Sequence, residues 1–205
     1  MPRFKLAHSP DADDAFMFYA LAKGKVETDG WEVEHVLSDI QLLNEHAERG
    51  TYEVTAISFH AYAYVHSRYR LVASGGSFGE GYGPIVVSRG PVSSLRGRRV
   101  AVPGLKTSAY LLLKIYEPTV DVVAMPFDRI LPAVADGAVD LGLLIHEGQL
   151  TYGESGLAKV VDLGEWWTRE TGLPVPLGGN AVRRDLGEDF AALATRIIRD
   201  SVSYS

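Results

Sequence analysis

The amino-acid sequence predicts an α/β protein of two lobes, and three observations carry that reading. Short apolar strand patterns alternate with helix patterns, the alternation runs twice, and a glycine-rich stretch separates the two runs. Alternation of this kind predicts largely parallel sheets, in which ligands sit at the carboxyl ends of strands.

The first run opens on the apolar segment Phe4 to Ala7, ended by Ser9-Pro10. Asp11 to Asp14 then precede the helix pattern Ala15 to Leu21, which Gly24 closes. Trp31 to Val36 alternates with period two, as a half-buried strand does. Ser38 and Gln41 read as a capping box for a helix with Ile40, Leu43 and Ala47 on one face, stopping at Gly50. Glu53 to Ile57 and Leu71 to Ala73 read as strands flanking a helix from Phe59 to Val65. Ser74 to Pro84 holds five glycines in eleven residues, a loop or hinge approach.

The second run reads as strands Ile85 to Ser88, Arg99 to Val102, Val120 to Ala124, Val139 to Ile145 and Leu157 to Leu163. Helices over Thr107 to Tyr116, Ile130 to Ala135 and Glu165 to Thr171 lie between and after them, and Leu173 to Pro176 reads as a connector. A final helix carries Phe190, Leu193, Ala194, Ile197, Ile198, Ser201 and Val202 on one face, with Asp185 and Glu188 as its capping box. No Gly, Asn or Pro closes that pattern before Ser205, so a C-terminal truncation is expected. The expected lobes are 1–88 with 182–205, and 89–181, with hinges near Gly76 to Gly83 and Gly179.

Composition narrows the chemistry. The 205 residues are 46% hydrophobic and 22% charged, enough apolar material for a sizeable core and too much for disorder. With no cysteine, thiol nucleophiles, disulfides, zinc fingers and iron–sulfur clusters are excluded. The net charge of −6 and a densest basic run of only Arg96 to Arg99 argue against nucleic acid as a partner. No apolar leader and no run of 18 apolar residues is present, so no membrane insertion and a cytoplasmic location are expected. There is no GxxxxGK[ST] loop, and the glycines of 75–83 do not fit GxGxxG, which disfavours nucleotide chemistry.

Three strand ends carry candidate chemistry. The first is His8-Ser9-Pro10-Asp11-Ala12-Asp13-Asp14, whose acids suit a cation, substrate hydroxyls, or the positive end of the next helix. A plain helix cap competes with Ser9, Asp13 and Asp14 as ligand residues, and no metal site is expected from one short acidic cluster. The second is Ser58 after Ile57, matched by Thr107-Ser108-Ala109 after Val102-Pro103-Gly104. Each places hydroxyls and backbone N–H groups at a helix start, where an anion is stabilised, with ordinary Ser/Thr capping as the alternative. The third is His146, directly after the apolar strand and suited to moving a proton near neutral pH. A structural histidine is the competing reading there. His35, His46, His60 and His66 fall on amphipathic elements, and His8 is left open. Trp166-Trp167 and Tyr62, Tyr64 and Tyr69 suit either a flat ligand or the core.

The chain resembles the menaquinone-biosynthesis proteins of the futalosine pathway, in the branch that makes 1,4-dihydroxy-6-naphthoate. The resemblance rests on Ser9-Pro10 with Asp13-Asp14, Ser58 with Ala61-Tyr62-Ala63, Val100 to Gly104 with Thr107 and Ala109-Tyr110, and Asp128 to Pro132. Ile145-His146-Glu147, Thr151-Tyr152, Val161 to Gly164, Trp166-Trp167 and Thr171 to Pro174 extend it. It implies a two-lobed periplasmic-binding-protein type II-like fold with mixed sheets and a cleft between lobes. It also implies a cofactor-free lyase that converts cyclic dehypoxanthinyl futalosine to 1,4-dihydroxy-6-naphthoate and dihydroxyacetone. By position it puts the general base on His146 and substrate contacts on Ala56, Ile57, Ser58, Ser108 and Ala109. Relatives often carry Cys-Pro-Asn-Asp-Thr where this chain has Asp11 to Ala15, so an acid replaces an amide there. The alternatives are a non-catalytic solute-binding protein of the same fold, for small carboxylates, and chorismate dehydratase of the same pathway.

Overall fold

The computed structural model describes residues 1–205. The chain divides into two compact units, Met1–Ser77 with Gly178–Ser205, and Phe78–Leu177. The first stretch forms β1 (Arg3–His8), α1 (Ala12–Ala22), β2 (Glu32–Leu37), α2 (Ile40–Arg49), β3 (Val54–Ser58), α3 (Phe59–Val65) and β4 (Tyr69–Leu71). The chain continues through β5 (Ser77–Gly79), β6 (Ile85–Ser88), β7 (Arg99–Val102), α4 (Ser108–Tyr116), β8 (Asp121–Ala124), α5 (Phe127–Ala135) and β9 (Leu141–Leu144). Then come α6 (Gly148–Thr151), β10 (Ala158–Asp162), α7 (Leu163–Thr171), β11 (Val175–Arg183) and α8 (Gly187–Tyr204).

In the first unit the sheet order is β2-β1-β3-β11-β4, with β5 also paired to β11. β1 is parallel to β2 and β3, whereas β11 is antiparallel to β3 and β4. Alternation along the strands serves two covered faces. Phe4, Leu6, Val54 and Val182 pack with Phe18 of α1 and with Phe190, Ala194, Ile197 and Ile198 of α8. Ala7 and Ala56 face Leu43 of α2, and Ile57 and Ala181 face Ala61 and Val65 of α3. Each such large apolar side chain contributes about 1.5–3 kcal/mol on burial, so the face of α8 read from the sequence is what fastens it to the sheet.

The second unit holds the sheet β10-β6-β9-β7-β8. β7 is parallel to β8 and β9, while β6 is antiparallel to β9 and β10. Val86, Val100, Val102, Leu141 and Leu143 face α4 and α7, and Ile85, Val87, Ala101 and Leu144 face α5. Burial on both faces explains why these strands read as continuous apolar runs. A Cβ on Gly142 would meet Ile130 at 2.6 Å and Val134 at 2.7 Å, so glycine lets α5 lie close on β9.

Several expectations are corrected. Both sheets are mixed, as the family resemblance implies, and not largely parallel, as strand–helix alternation alone predicts. Strand 85–88, assigned from the sequence to the first lobe, is paired on both edges within the second sheet, so the chain crosses between units at 77/78 and not at 88/89. The return comes at 177/178, inside β11, rather than at 181/182. The supposed connector 173–176 and the supposed hinge Gly179 belong largely to that nine-residue strand. The cap of α2 is Asp39, which accepts from the amides of Gln41 and Leu42, not Ser38. At α8 the proposed capping box is absent, because Asp185 accepts from Arg183 Nε and Glu188 pairs with Arg70. No helix is long and apolar enough to cross a membrane.

Gly75 shows the packing at the first crossing. Its φ is +72°, and a Cβ there would meet Met17 Sδ at 2.5 Å and Asn180 Nδ2 at 2.7 Å. Gly30 has φ +78° with nothing within 4 Å. Gly30→Ala is expected to cost about 1–2 kcal/mol for the left-handed backbone alone. Gly75→Ala is expected to cost about 1–3 kcal/mol more from overpacking. Urea melts of the two variants check this, and equal losses would remove the packing account.

Candidate active site

In the first unit, parallel pairing brings the carboxyl ends of β1 and β3 to one edge of the sheet, so Ser9 and Ser58 share that edge. The loop after β1 closes on itself through local hydrogen bonds. Asp11 caps α1 by accepting from the Asp14 amide at 2.9 Å, and Asp14 Oδ2 accepts from the Ser9 amide at 2.7 Å. The capping reading therefore holds for Asp11, while Asp13 is exposed. Burial, and then repulsion from Asp11, push the Asp14 carboxyl up to about 7, against the opposing pull of the Ser9 amide. A carboxyl that titrates near neutrality at a strand end is suited to giving or taking a proton.

Beneath this loop lies a histidine pair that sequence reading passed over as an amphipathic strand residue and an open case. His8 Nε2 and His35 Nδ1 are 3.0 Å apart, and His8 Nδ1 is 2.9 Å from the Ser9 carbonyl. A carbonyl only accepts, so His8 Nδ1 carries a proton and donates to it. In the neutral pair His8 Nε2 then accepts from His35 Nδ1, which leaves a bare lone pair on His35 Nε2, a buried atom with no hydrogen-bond partner. Burial lowers both imidazoles below the ordinary histidine range, so the pair stays neutral.

At the end of β3 the side chains of Ala56 and Ile57 are buried in the two faces of the sheet. Only their backbone and Ser58 are left to face a ligand. Ser58 is held from both sides by Asn44, which accepts from the Ser58 amide at 3.0 Å and donates to Ser58 Oγ at 3.0 Å. Asn44 was missed from the sequence, although an amide next to Leu43 on the inward face of α2 was a signal of a buried polar contact.

In the second unit, the ends of β7 and β9 lie together because these strands are parallel neighbours. Thr107 caps α4: its hydroxyl donates to the Gly104 carbonyl at 2.9 Å and accepts from the Tyr110 amide at 3.2 Å. The Ser108 hydroxyl donates to the Leu177 carbonyl. Both hydroxyls thus do structural work, and an anion at this helix start would meet the first-turn amides of Ser108 and Ala109 instead of those hydroxyls. His146 follows β9 in a left-handed backbone conformation with φ +53°. Non-glycine residues adopt it uncommonly and at a cost, and such positions gather at functional sites. Its ring stands edge-on to Phe127 with centroids 5.3 Å apart, and its Nε2 is shielded from solvent. Gln149 grips the turn, donating its amide N–H to the His146 carbonyl and, with its side chain oriented to satisfy both neighbours, accepting from the His146 amide at 3.1 Å.

The aromatic candidates are mostly core. Trp166 and Trp167 pack against the second-unit core, and Tyr69 is fully buried with its hydroxyl donating to the Tyr52 carbonyl. Tyr62 packs beside Tyr69, and Tyr64 is exposed.

Residues 4–205 match the menaquinone-biosynthesis family. The chain belongs to that family. A relative from Thermus thermophilus named 1,4-dihydroxy-6-naphthoate synthase is 48% identical over 205 residues, all of this chain and 75% of its own length. A Streptomyces coelicolor relative of the same name is 41% identical over 97% of this chain and 72% of its own. Among solved structures, a protein of Archaeoglobus fulgidus is 52% identical with a TM-score of 0.94, covering 98% of this chain and 76% of that one. The alkanesulfonate-binding protein from Xanthomonas axonopodis is only 11% identical but has a TM-score of 0.76, covering 100% of this chain and 73% of that one. That likeness concerns the fold, and it makes this family member a periplasmic-binding-protein-like α/β protein.

The Asp14 assignment has a pH signature. Its folded-state value, about 7, lies above the ordinary carboxylate value of 3.8, so the folded state holds the proton more tightly. The contribution is therefore present at low pH and is lost as pH rises from about 4 through about 7. Asp14→Asn keeps an acceptor for the Ser9 amide and removes the titration. Thermal melts are expected to show that the Tm at pH 5 minus the Tm at pH 8 is lower for Asp14→Asn than for the parent, since the two histidines titrate alike in both and only the parent has the low-pH contribution of Asp14. An unchanged difference would refute the assignment.

Proposed function

We propose that this family member is a carbon–carbon lyase that converts cyclic dehypoxanthinyl futalosine to 1,4-dihydroxy-6-naphthoate and dihydroxyacetone. The observation that carries the reading is the 48% identity, over every residue of the chain, to a relative named for that product. His146 is the proposed general base. Its strand-end placement, strained backbone and Gln149-braced turn fix the main chain from which the imidazole projects, and the ring stands against Phe127; a base placed in advance needs little reorganisation when the proton moves.

In this mechanism His146 takes a proton from the sugar-derived portion of the substrate. The proton comes from a hydroxyl: its O–H electron pair becomes the C=O of dihydroxyacetone as the carbon–carbon bond breaks in a retro-aldol sense, the pair of that bond passes to the ring system, and the proton held on His146 returns to the ring system as it becomes aromatic. Aromatisation makes the step irreversible. The amides of Ser108 and Ala109 at the start of α4 are the proposed holders of the aromatic carboxylate, with Thr107 fixing that helix end. Ser9, Asp13, Asp14, Ser58 and the backbone of Ala56 and Ile57 are the proposed substrate contacts of the first unit. With the Ala56 methyl packed in the sheet face, that position offers a substrate its backbone and no charge.

Incubation with cyclic dehypoxanthinyl futalosine, and separately with chorismate, followed by mass spectrometry for the naphthoate tests the reading. Product is expected from the first alone. His146→Ala is expected to lower kcat by about 10²–10⁴-fold, the usual contribution of a general base, with substrate binding retained. Full turnover by that variant would remove His146 from the role. Tight binding with no product from either substrate would leave a solute-binding protein.

A further inference from the structure

A cleft of about 430 Å³ in the first unit is lined by Arg49, Arg68, Arg183, Arg184 and Asp185. It lies away from the strand ends that carry Ser9 and Ser58. Arg183 ends β11, which runs antiparallel to β3, and its amide donates to the Glu53 carbonyl just before β3 begins. The cleft therefore sits at the opposite end of β3 from Ser58. Arg49 is the last residue of α2, and Arg68 precedes β4, so three separate segments supply the guanidinium groups.

The four arginines divide into two pairs. Arg183 donates to the Gly50 carbonyl at 2.9 Å and to Asp185 at 2.7 Å, with Glu53 at 4.0 Å. Arg184 Nε donates to the carbonyls of His66 at 2.9 Å and Tyr69 at 3.0 Å. These two build the wall by tying loop carbonyls together. Arg49 and Arg68 are exposed and have no carboxylate partner. Gly50, with φ +67°, leaves room for Arg68: a Cβ there would lie 3.0 Å from Arg68 Nη1. Four guanidinium groups thus meet two carboxylates, Asp185 and Glu53, on a chain whose net charge is −6.

We propose that this cleft binds the phosphate group of a small molecule, at a site separate from the lyase chemistry. Two uncompensated positive charges match a phosphate dianion near neutral pH. The planar guanidinium fork matches its oxygens bidentately. A volume of about 430 Å³ admits a phosphorylated metabolite of modest size. A single surface salt bridge contributes little. Two free guanidinium groups beside two fixed ones differ, because the wall is already ordered by its bonds to the backbone.

Calorimetric titration of the 205-residue chain with inorganic phosphate and with pyrophosphate at low ionic strength tests the proposal. Saturable binding is expected, tighter for pyrophosphate and weakened by added salt. Arg49→Ala and Arg68→Ala are each expected to weaken it about tenfold, the loss of one charge-assisted hydrogen bond. Neither side chain holds the fold, so both variants remain folded, and Arg199→Ala on α8 serves as the unaffected control. Absence of saturable binding, or an unchanged Kd in Arg68→Ala, overturns the site. Co-sedimentation with phosphatidylglycerol vesicles in the absence of pyrophosphate binding overturns the small-molecule ligand. Lyase turnover is unaffected by either variant, so this result and the test of the proposed function stand apart.

Discussion

The architecture depends on one strand, β11. The chain leaves the first sheet after β4 and comes back one hundred residues later, and it must then insert antiparallel between β3 and β4 for the first unit to have a continuous sheet. Register fixes how this is done. Gly178 lies opposite Ser58, Gly179 opposite Ile57 and Asn180 opposite Ala56, so the returning strand lies alongside the β3 residues proposed to contact substrate. A Cβ on Gly178 would sit 3.0 Å from the Ile57 carbonyl, and glycine permits that approach. Asn180, fully buried, donates to the Gly75 carbonyl at 3.0 Å and so ties the returning strand to the segment by which the chain departed. The two crossings are thus fastened to each other within the first unit, and the packing on either face of the sheet follows from that closure.

With the sheets fixed, the strand ends of the two units present different chemistry. In the first unit the groups are kept nearly neutral: a histidine pair that shares one proton between facing nitrogens, a carboxyl pushed toward its protonated form, and a serine satisfied by an amide. Burial suppresses the charge of the histidines and the carboxyl, the serine hydroxyl is neutral in itself, and such groups suit recognition of hydroxyls. In the second unit the groups are a strained histidine and a helix start, which suit proton transfer and the holding of an anion.

Much of this was legible in the sequence because local patterns and tertiary packing agree. The period-two and helical patterns locate most elements, and the strand-end rule picks out Ser9, Ser58, Thr107 and His146 as candidates. What escaped reading is what tertiary pairing decides. β11 carries Pro176, Gly178 and Gly179, residues that depress strand propensity, and only its neighbours β3 and β4 make it a strand. The assignment of β6 to the second sheet depends on antiparallel partners far along the chain, which no local pattern reveals. Asn44 and Gln149 escaped because a buried or bracing amide has no spacing signature. The hydroxyls of Thr107 and Ser108 read from the sequence as ligand groups, whereas they donate to the backbone carbonyls of Gly104 and Leu177, partners that no local spacing reveals.

The histidine pair shows why such a site tolerates little change. Because His8 Nδ1 must donate to the Ser9 carbonyl, the tautomer of His8 is set by the backbone, and the tautomer of His35 is set in turn by His8. A second proton entering the pair has two places to go. On His8 Nε2 it would confront the His35 Nδ1 proton, and on His35 Nε2 it would create a buried cation without a partner. Both routes are costly, which is the physical content of the lowered values at these two residues. The fold therefore gains stability from the neutral pair above the ordinary histidine pKa and loses it as pH falls below that value. Asp14, one hydrogen bond away through Ser9, changes in the opposite sense, losing its contribution as pH rises through about 7. Both changes fall on the acid side of neutrality and oppose each other, so that Ser9, held between His8 and Asp14, sits in a loop whose two titrations partly offset each other below about pH 7.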